Sequence, residues 1–164
     1  MKQDKTEDQK SVDVQKKNIT KEYKTEDLIV FWYPAECSHS GKCMKAMPEV
    51  FNPEKRPWIT LASADLENII KAIDSCPTGA LRYKLPEGSK IDPNKAKGPG
   101  SVDYKPDATT AVQIKAVKNG PFLVRGPIRL IDADGELIKE SSQMVLCRCG
   151  LSKNAPFCDG SHMK

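Results

Sequence analysis

The sequence predicts an α+β protein built from two small units with a Pro/Gly-rich stretch between them. Three observations lead there. Residues 85–108, LPEGSKIDPNKAKGPGSVDYKPDA, carry Pro86, Pro93, Pro99 and Pro106 with Gly88, Gly98 and Gly100, and no helix or strand period survives such punctuation. Segments before this stretch mix strand and helix patterns, whereas those after it read as strands alone. The six cysteines divide three and three across it, and each triplet has one histidine nearby. Hydrophobic residues make up 38% of the 164 and aromatics only 6%, which is thin for one large core. Small domains of this kind often lean on metals or covalent staples. The expected division is a disordered polar tail (1–26), a first unit (27–85), an extended linker (86–108) and a second unit (109–164).

In the first unit, DLIVFWYP (27–34) is aromatic and β-branched and predicts a strand. MKAMPEVF predicts a short helix ended by Pro48. SADLENIIKAIDSC places Leu66, Ile69, Ile70 and Ile73 at helical spacing, with Ser63 as the expected N-cap. ALRYK (80–84) alternates as a strand does. In the second unit TAVQIKAV, PFLVRGPIRLID and GELIKESSQMVL predict three strands of a small antiparallel sheet. KNGP and DADG provide the turns between them.

Charge and composition exclude several function classes. Twenty-six basic residues against 22 acidic ones give a net charge of +4, too even to argue for nucleic acid. No apolar run approaches the roughly 20 residues of a membrane-spanning helix. The first 27 residues, MKQDKTEDQKSVDVQKKNITKEYKTED, lack arginine and any apolar core. They fit neither a secretory signal nor a mitochondrial presequence, so a cytoplasmic location is expected. No Ser–His–Asp set is credible with two histidines that both sit beside cysteines, GKCMKA is not a phosphate-binding loop, and no enzyme activity is expected.

The cysteines carry the chemistry. Cys147, Cys149, Cys158 and His162 fall within sixteen residues, CRCGLSKNAPFCDGSH. Clustered Cys and His in a cytoplasmic chain read first as metal ligands. Cys147 and Cys149 would face opposite sides of a regular strand, so the backbone must leave strand geometry there, and Gly150 gives it the freedom to do so. Cys158 and His162, four apart, would share one face of a helical turn whose N-terminus Asp159 favours. Three sulfurs and an imidazole suit either a structural zinc ion or an iron–sulfur cluster, and spacing alone leaves both open. In the first unit Cys37 and Cys43 share a loop with His39, and Cys76 is followed by Pro77. Bacterial ferredoxins use C-x2-C-x2-C and a distant C-P. Here Ser40 stands at the middle position and three thiolates remain, which suits a 3Fe-4S cluster, or a 4Fe-4S cluster completed by His39, Ser40 or water. Trp58 is expected to pack in the core.

The C-terminal stretch resembles the CDGSH iron–sulfur family, whose pattern is C-x-C-x2-(S/T)-x3-P-x-C-D-G-(S/A/T)-H. Ser152, Pro156, Asp159, Gly160 and Ser161 fall in place with the four ligands, and the likeness covers about the last 45 residues. It implies a 2Fe-2S cluster with Cys147 and Cys149 on one iron and Cys158 and His162 on the other. Members of that family usually continue past the histidine. Only Met163 and Lys164 follow here, so an exposed cluster is expected and a homodimer, if formed, cannot use that extension. Residues 27–85 resemble the divergent single-cluster 4Fe-4S ferredoxin-like domain, with its C-x-H-x-G-x-C, R-P-W and C-P-x-G-A-L elements. Cys37, His39, Gly41 and Cys43, then Arg56–Pro57–Trp58, then Cys76 to Leu81 carry the match. This likeness implies a ferredoxin-like βαβ domain with Cys37, Cys43 and Cys76 as ligands and His39 as a candidate fourth. The combined expectation is a two-cluster electron-transfer protein working with redox partner proteins. The alternatives are an iron–sulfur carrier or redox sensor, and a zinc-stabilised binding module.

Overall fold

The computed structural model describes residues 20–107 and 111–163. Two three-stranded sheets organise them. The first contains β1 (Lys21–Lys24), β2 (Ile29–Trp32) and β3 (Leu81–Lys84) in the order β1-β2-β3, every pair antiparallel. Between β2 and β3 run helix α1 (Lys42–Ala46) and helix α2 (Leu66–Asp74). The predicted order of strand, cysteine loop, helix, cysteine and strand is therefore present. The two strands flanking the helices pair antiparallel, however, unlike the parallel pair of a βαβ crossover.

Helix α2 starts at Asp65, whose carboxylate accepts from the Asn68 backbone N–H at 3.1 Å. Ser63, the expected cap, instead ends a short 3-10 turn at Leu61–Ser63. Asp65 wins because its side chain lies three residues before an orphan helix N–H, the reach an N-cap requires. The helix buries Ile69, Ile70, Ala72 and Ile73 against the sheet, where Val30 and Tyr83 face each other across β2 and β3 with no exposure at all. Each such buried aliphatic side chain stabilises by about 1.5–3 kcal/mol. Phe51, Val50 and Ile59 complete this core. Helix α1 ends before Pro48, which disfavours helical geometry at Met47 (φ −147°, ψ 77°).

Two expected boundaries shift. The polar segment expected to be disordered through residue 26 contributes β1, whose Lys21 to Lys24 pair in register with Trp32 to Ile29. KEYK has almost no apolar signal, and its order comes from ladder bonds to β2 and from Tyr23, which packs half-buried against the core. The expected tail over residues 1–19 lies outside the described residues.

The expected linker also folds back on the first unit. Ser89 Oγ donates to the Asp27 carbonyl at 2.7 Å, and the Lys90 N–H donates to the Asp27 carboxylate at 2.7 Å. A 3-10 turn (Pro93–Ala96) follows, and Ile91 and Ala96 enter the core. Tyr83 then exchanges backbone bonds with Gly100 and Val102 at 2.8 and 3.0 Å. The Asp74 carboxylate accepts from Gly100 N–H at 2.8 Å and Tyr83 Oη at 3.0 Å. A Cβ on Gly98 would collide with that carboxylate, and one on Gly100 would lie 2.8 Å from Ile73. These glycines let a strap pass over α2, so residues 86–102 are a packed loop rather than a free spacer.

The second sheet has the order β4-β5-β6, again antiparallel: β4 (Gln113–Ala116), β5 (Phe122–Ile131) and β6 (Leu137–Leu146). All three predicted strands and both turns are present. The β5/β6 register slips between Arg125 and Ile128, where Gly126 takes φ 126° beside Pro127, a residue that cannot donate to the ladder. Val124, Met144 and Val145 are buried near the cysteine end, and Ile131 and Leu137 are exposed at the far end. Among the described residues no helix is long and apolar enough to cross a membrane.

Candidate metal centres

The C-terminal centre is built where β6 ends. Cys147 N–H donates to the Pro156 carbonyl at 2.8 Å, and Cys158 N–H donates to the Val145 carbonyl at 2.9 Å. Residues 156–158 thus run alongside the end of β6, which brings Cys158 next to Cys147. Gly150 (φ 77°) turns the intervening loop. Asp159 is the staple of the motif. Its Oδ2 accepts from Lys153 N–H and its Oδ1 from Ser161 N–H, both at 3.0 Å. Those bonds hold its pKa well below the usual carboxylate range, the Ser161 contacts acting most strongly. Ser152 Oγ closes the loop from inside by donating to the Phe157 carbonyl at 2.6 Å.

The four candidate ligand atoms meet in pairs. Cys147 Sγ lies 3.6 Å from Cys149 Sγ, and Cys158 Sγ lies 3.4 Å from His162 Nδ1. The Cys158–His162 pairing differs in form from the expected helical turn. Cys158 is held extended by β6, and only Ser161–Met163 coil as a 3-10 turn. All four residues line one cleft of about 310 Å³, together with Gly120 and Arg148. Backbone hydrogen bonds from the loop, led by Ser152, lower the Cys147 pKa, whereas burial raises that of Cys158. Two ligand pairs in one cleft suit two metal ions, one per pair.

The N-terminal centre gathers residues from farther apart in the chain. Cys37 follows a 3-10 turn (Pro34–Glu36) that leaves β2. His39 (φ 55°) and Gly41 (φ 69°) reverse the chain into α1, which carries Cys43. The His39 N–H lies 3.4 Å from Cys37 Sγ. Cys76 closes α2, donating its N–H to Ile73 at 2.9 Å, and its sulfur lies 3.6 Å from Thr78 Oγ1. Cys37, His39 and Cys43 line a cavity of about 510 Å³ with Trp32, Met44 and Trp58, whereas Cys76 does not line it. The three sulfurs still feel one another. Burial, then Cys76, then Cys37 contribute to pushing the Cys43 thiol up to about 11, and burial raises Cys37, with Cys76 adding to it. Three neighbouring thiolates repel unless a cation sits among them, and an iron centre would supply that charge.

A second observation fits a cluster here. Trp32 Nε1 and Trp58 Nε1 are buried with no partner at full hydrogen-bond geometry among the described residues; the Trp32 N–H still acts on the Cys37 sulfur and the Trp58 N–H on the Tyr23 hydroxyl, and both rings line this cavity. Buried N–H donors are costly when unpaired, and sulfide or thiolate sulfur is an acceptor they would satisfy. Trp58 also packs on Trp32 (centroids 4.6 Å apart) and Phe51 (6.1 Å), so it has the expected core role and walls the cavity too. Trp32 was legible only as a strand residue in IVFW, since nothing in that stretch signals that its indole reaches the cysteines.

The two centres touch. His39 Nδ1 lies 3.1 Å from the Asp159 carbonyl oxygen, and Asn154 Nδ2 donates to the Ala35 carbonyl at 2.8 Å. Glu36 Oε2 accepts from Arg82 Nη2 at 2.8 Å and from Lys139 Nζ at 2.7 Å, one cation from each unit. None of Asn154, Arg82 or Lys139 carries a motif, so sequence reasoning missed them.

Comparison with known proteins gives two matches along the chain. A family model described as a divergent 4Fe-4S mono-cluster matches residues 23–86. One described as an iron-binding zinc finger of CDGSH type matches residues 119–163. The "Uncharacterized protein YjdI" of Escherichia coli (strain K12) is 39% identical over 62 residues, which are 38% of this chain and 82% of the relative. The protein of the same name from Escherichia coli O157:H7 gives the same figures. No solved structure matches the chain. The first family implies a 4Fe-4S cluster and the second a 2Fe-2S cluster.

Proposed function

Because the chain belongs to the divergent 4Fe-4S mono-cluster family and carries a CDGSH-type iron-binding unit behind it, we propose that it is a two-cluster electron-transfer protein rather than an enzyme. In this reading Cys147, Cys149, Cys158 and His162 hold a 2Fe-2S cluster. Cys37, Cys43 and Cys76 hold the other, a 4Fe-4S rather than a 3Fe-4S cluster. The clusters supply one-electron chemistry when bound. The protein's part is to hold the ligands, limit water and tune the sulfurs with nearby N–H groups. The observation that carries the reading is the direct contact of the two ligand loops at His39 and Asp159. A pair of centres braced together suits the passage of single electrons to and from a redox partner protein.

Anaerobic absorption and EPR spectra with iron and sulfide analysis test this. A brown protein with two distinguishable centres is expected, and a colourless zinc protein would overturn it. A second reading, cluster delivery, has one observation in its favour: Cys149 is exposed. Mixing the loaded protein with a metal-free acceptor separates the two, since cluster loss without net redox change marks a carrier.

A further inference from the structure

Three observations meet at His39. Its backbone is left-handed (φ 55°), a conformation few non-glycine residues adopt, and such outliers mark positions the fold holds for a purpose. Its Nδ1 faces the carbonyl oxygen of Asp159 at 3.1 Å. A carbonyl can only accept, so Nδ1 carries the proton and donates it. The neutral ring then keeps its lone pair on Nε2. Finally, His39 lines the same cavity as Cys37 and Cys43. Histidines that bind metals characteristically donate their other ring N–H to a carbonyl or carboxylate, which fixes both the tautomer and the ring orientation.

We propose that the Asp159 carbonyl, in the C-terminal cluster loop, fixes His39 with Nε2 free and so makes it the fourth ligand of the N-terminal centre. The inference rests on the two-cluster reading above and deepens it: one centre's ligand set is completed through the other centre's loop. Bond formation uses the Nε2 lone pair, the proton stays on Nδ1, and no electron is transferred.

The carbonyl is held in place by contacts outside both ligand sets. Asn154 ties the C-terminal loop to Ala35, and Lys139 ties β6 to Glu36. Gly160 allows the close approach, since a Cβ there would lie 2.8 Å from the Ser38 carbonyl oxygen and 3.5 Å from His39 Cβ. Cys37, Cys43 and Cys76 alone supply three thiolates, enough for a three-iron centre. The fourth iron then depends on a histidine that the second unit orients.

The test uses the full chain with His39→Ala, His39→Cys, the double variant Asn154→Ala/Lys139→Ala, and that double variant combined with His39→Cys. Iron and sulfide per chain, EPR of the oxidised protein and circular dichroism are measured on each. His39→Ala and the double variant are both expected to lose about one iron per chain and to show a three-iron EPR signal. His39→Cys is expected to keep the fourth iron, with or without the two tethers, because a thiolate needs no tautomer set for it. In the metal-free protein, nitrogen-15 NMR of His39 is expected to report the Nδ1–H form. Unchanged iron and EPR in His39→Ala, or an Nε2–H tautomer, would overturn the inference while leaving two clusters in place. So would failure of His39→Cys to restore the fourth iron in a double variant whose circular dichroism is native. A wild-type protein holding zinc alone would sink the two-cluster reading itself.

Discussion

The two metal centres are built in opposite ways. The C-terminal centre is local: its four ligands lie within sixteen residues, and its geometry comes from one strand end, one carboxylate and a turn. The N-terminal centre is assembled by tertiary structure: Cys37 comes from a loop after β2, Cys43 from α1 and Cys76 from the end of α2. The surroundings differ as well. Around the N-terminal centre lies a real core, with Phe51, Ile69, Ile70, Ile73 and Tyr83 all almost fully buried. Behind the C-terminal centre only Val124, Met144, Val145 and Cys158 are buried apolar residues among the described residues of the second unit. One unit can therefore stand on hydrophobic packing, whereas the other, with so few buried apolar residues, would gain most from a bound metal.

The sharpest way to break this comparison is to remove one ligand at each centre. Cys149→Ala, at an exposed position away from Asp159, is expected to abolish the C-terminal cluster signal and spare the other. Cys76→Ala is expected to abolish the N-terminal signal and spare the C-terminal one. Absorption and EPR spectra of the two variants check this, and loss of both signals from either change would mean the centres are not separate.

Metal removal probes the packing side. After chelation, amide hydrogen exchange is expected to quicken first in residues 147–163, while β2, β3 and α2 stay protected. Ile73→Ala, by contrast, is expected to cost about 2–5 kcal/mol in denaturant unfolding of the first unit, the range for emptying a buried aliphatic site. Equal protection of the two units in the metal-free protein would contradict the argument.

Legibility follows the same divide. That Cys147, Cys149, Cys158 and His162 come together in one cleft could be read directly because their spacing is local, and the two strands of the hairpin alternate plainly with turns between them. The core helix was equally clear from Leu66, Ile69, Ile70 and Ile73. What stayed hidden depends on contacts between distant residues. β1 is polar apart from Tyr23 and owes its order to ladder bonds with β2 and to the packing of that ring. The strap of residues 86–102 hides its packing behind prolines and glycines, because Gly98 and Gly100 serve a close approach to Asp74 rather than freedom. The antiparallel pairing of β2 with β3 leaves no mark in either strand's composition. The bond from His39 to Asp159 spans 120 residues and joins two motifs that read as independent.

Acid tests the histidine ligation proposed for the two centres. An imidazole must be deprotonated at its metal-bound nitrogen, so histidine ligation weakens as pH falls. With His162 as one of its four candidate ligands, the C-terminal centre is expected to bleach faster as pH falls. His162→Cys is expected to slow that bleaching. The rates of absorbance loss against pH, wild type beside variant, decide the point, and equal rates would remove His162 protonation as the trigger.

The smallest effect concerns the strap. Burial raises the Asp74 pKa above its ordinary value despite hydrogen bonds from Gly100 and Tyr83. The folded state therefore holds the carboxyl proton more tightly than the unfolded chain does. Stability from this source is full below the ordinary carboxylate range, falls as pH rises towards the raised value and levels off above it. Asp74→Asn keeps an acceptor for both donors and has no proton to lose. Its melting temperature is expected to lack that downward slope as pH rises above the ordinary carboxylate range, and an identical slope in wild type and variant would place its origin elsewhere.

The strap has one more consequence, and it concerns concentration. Because residues 86–102 are bound at Asp27, Asp74 and Tyr83, only a short connection runs from Val102 to β4. A connection this short keeps the second unit at an effective concentration on the order of millimolar around the first. At that level a few hydrogen bonds and one shared carboxylate suffice to keep the two ligand loops together. A protein that docks on either loop face must then displace a tethered competitor before it can reach the centre beneath.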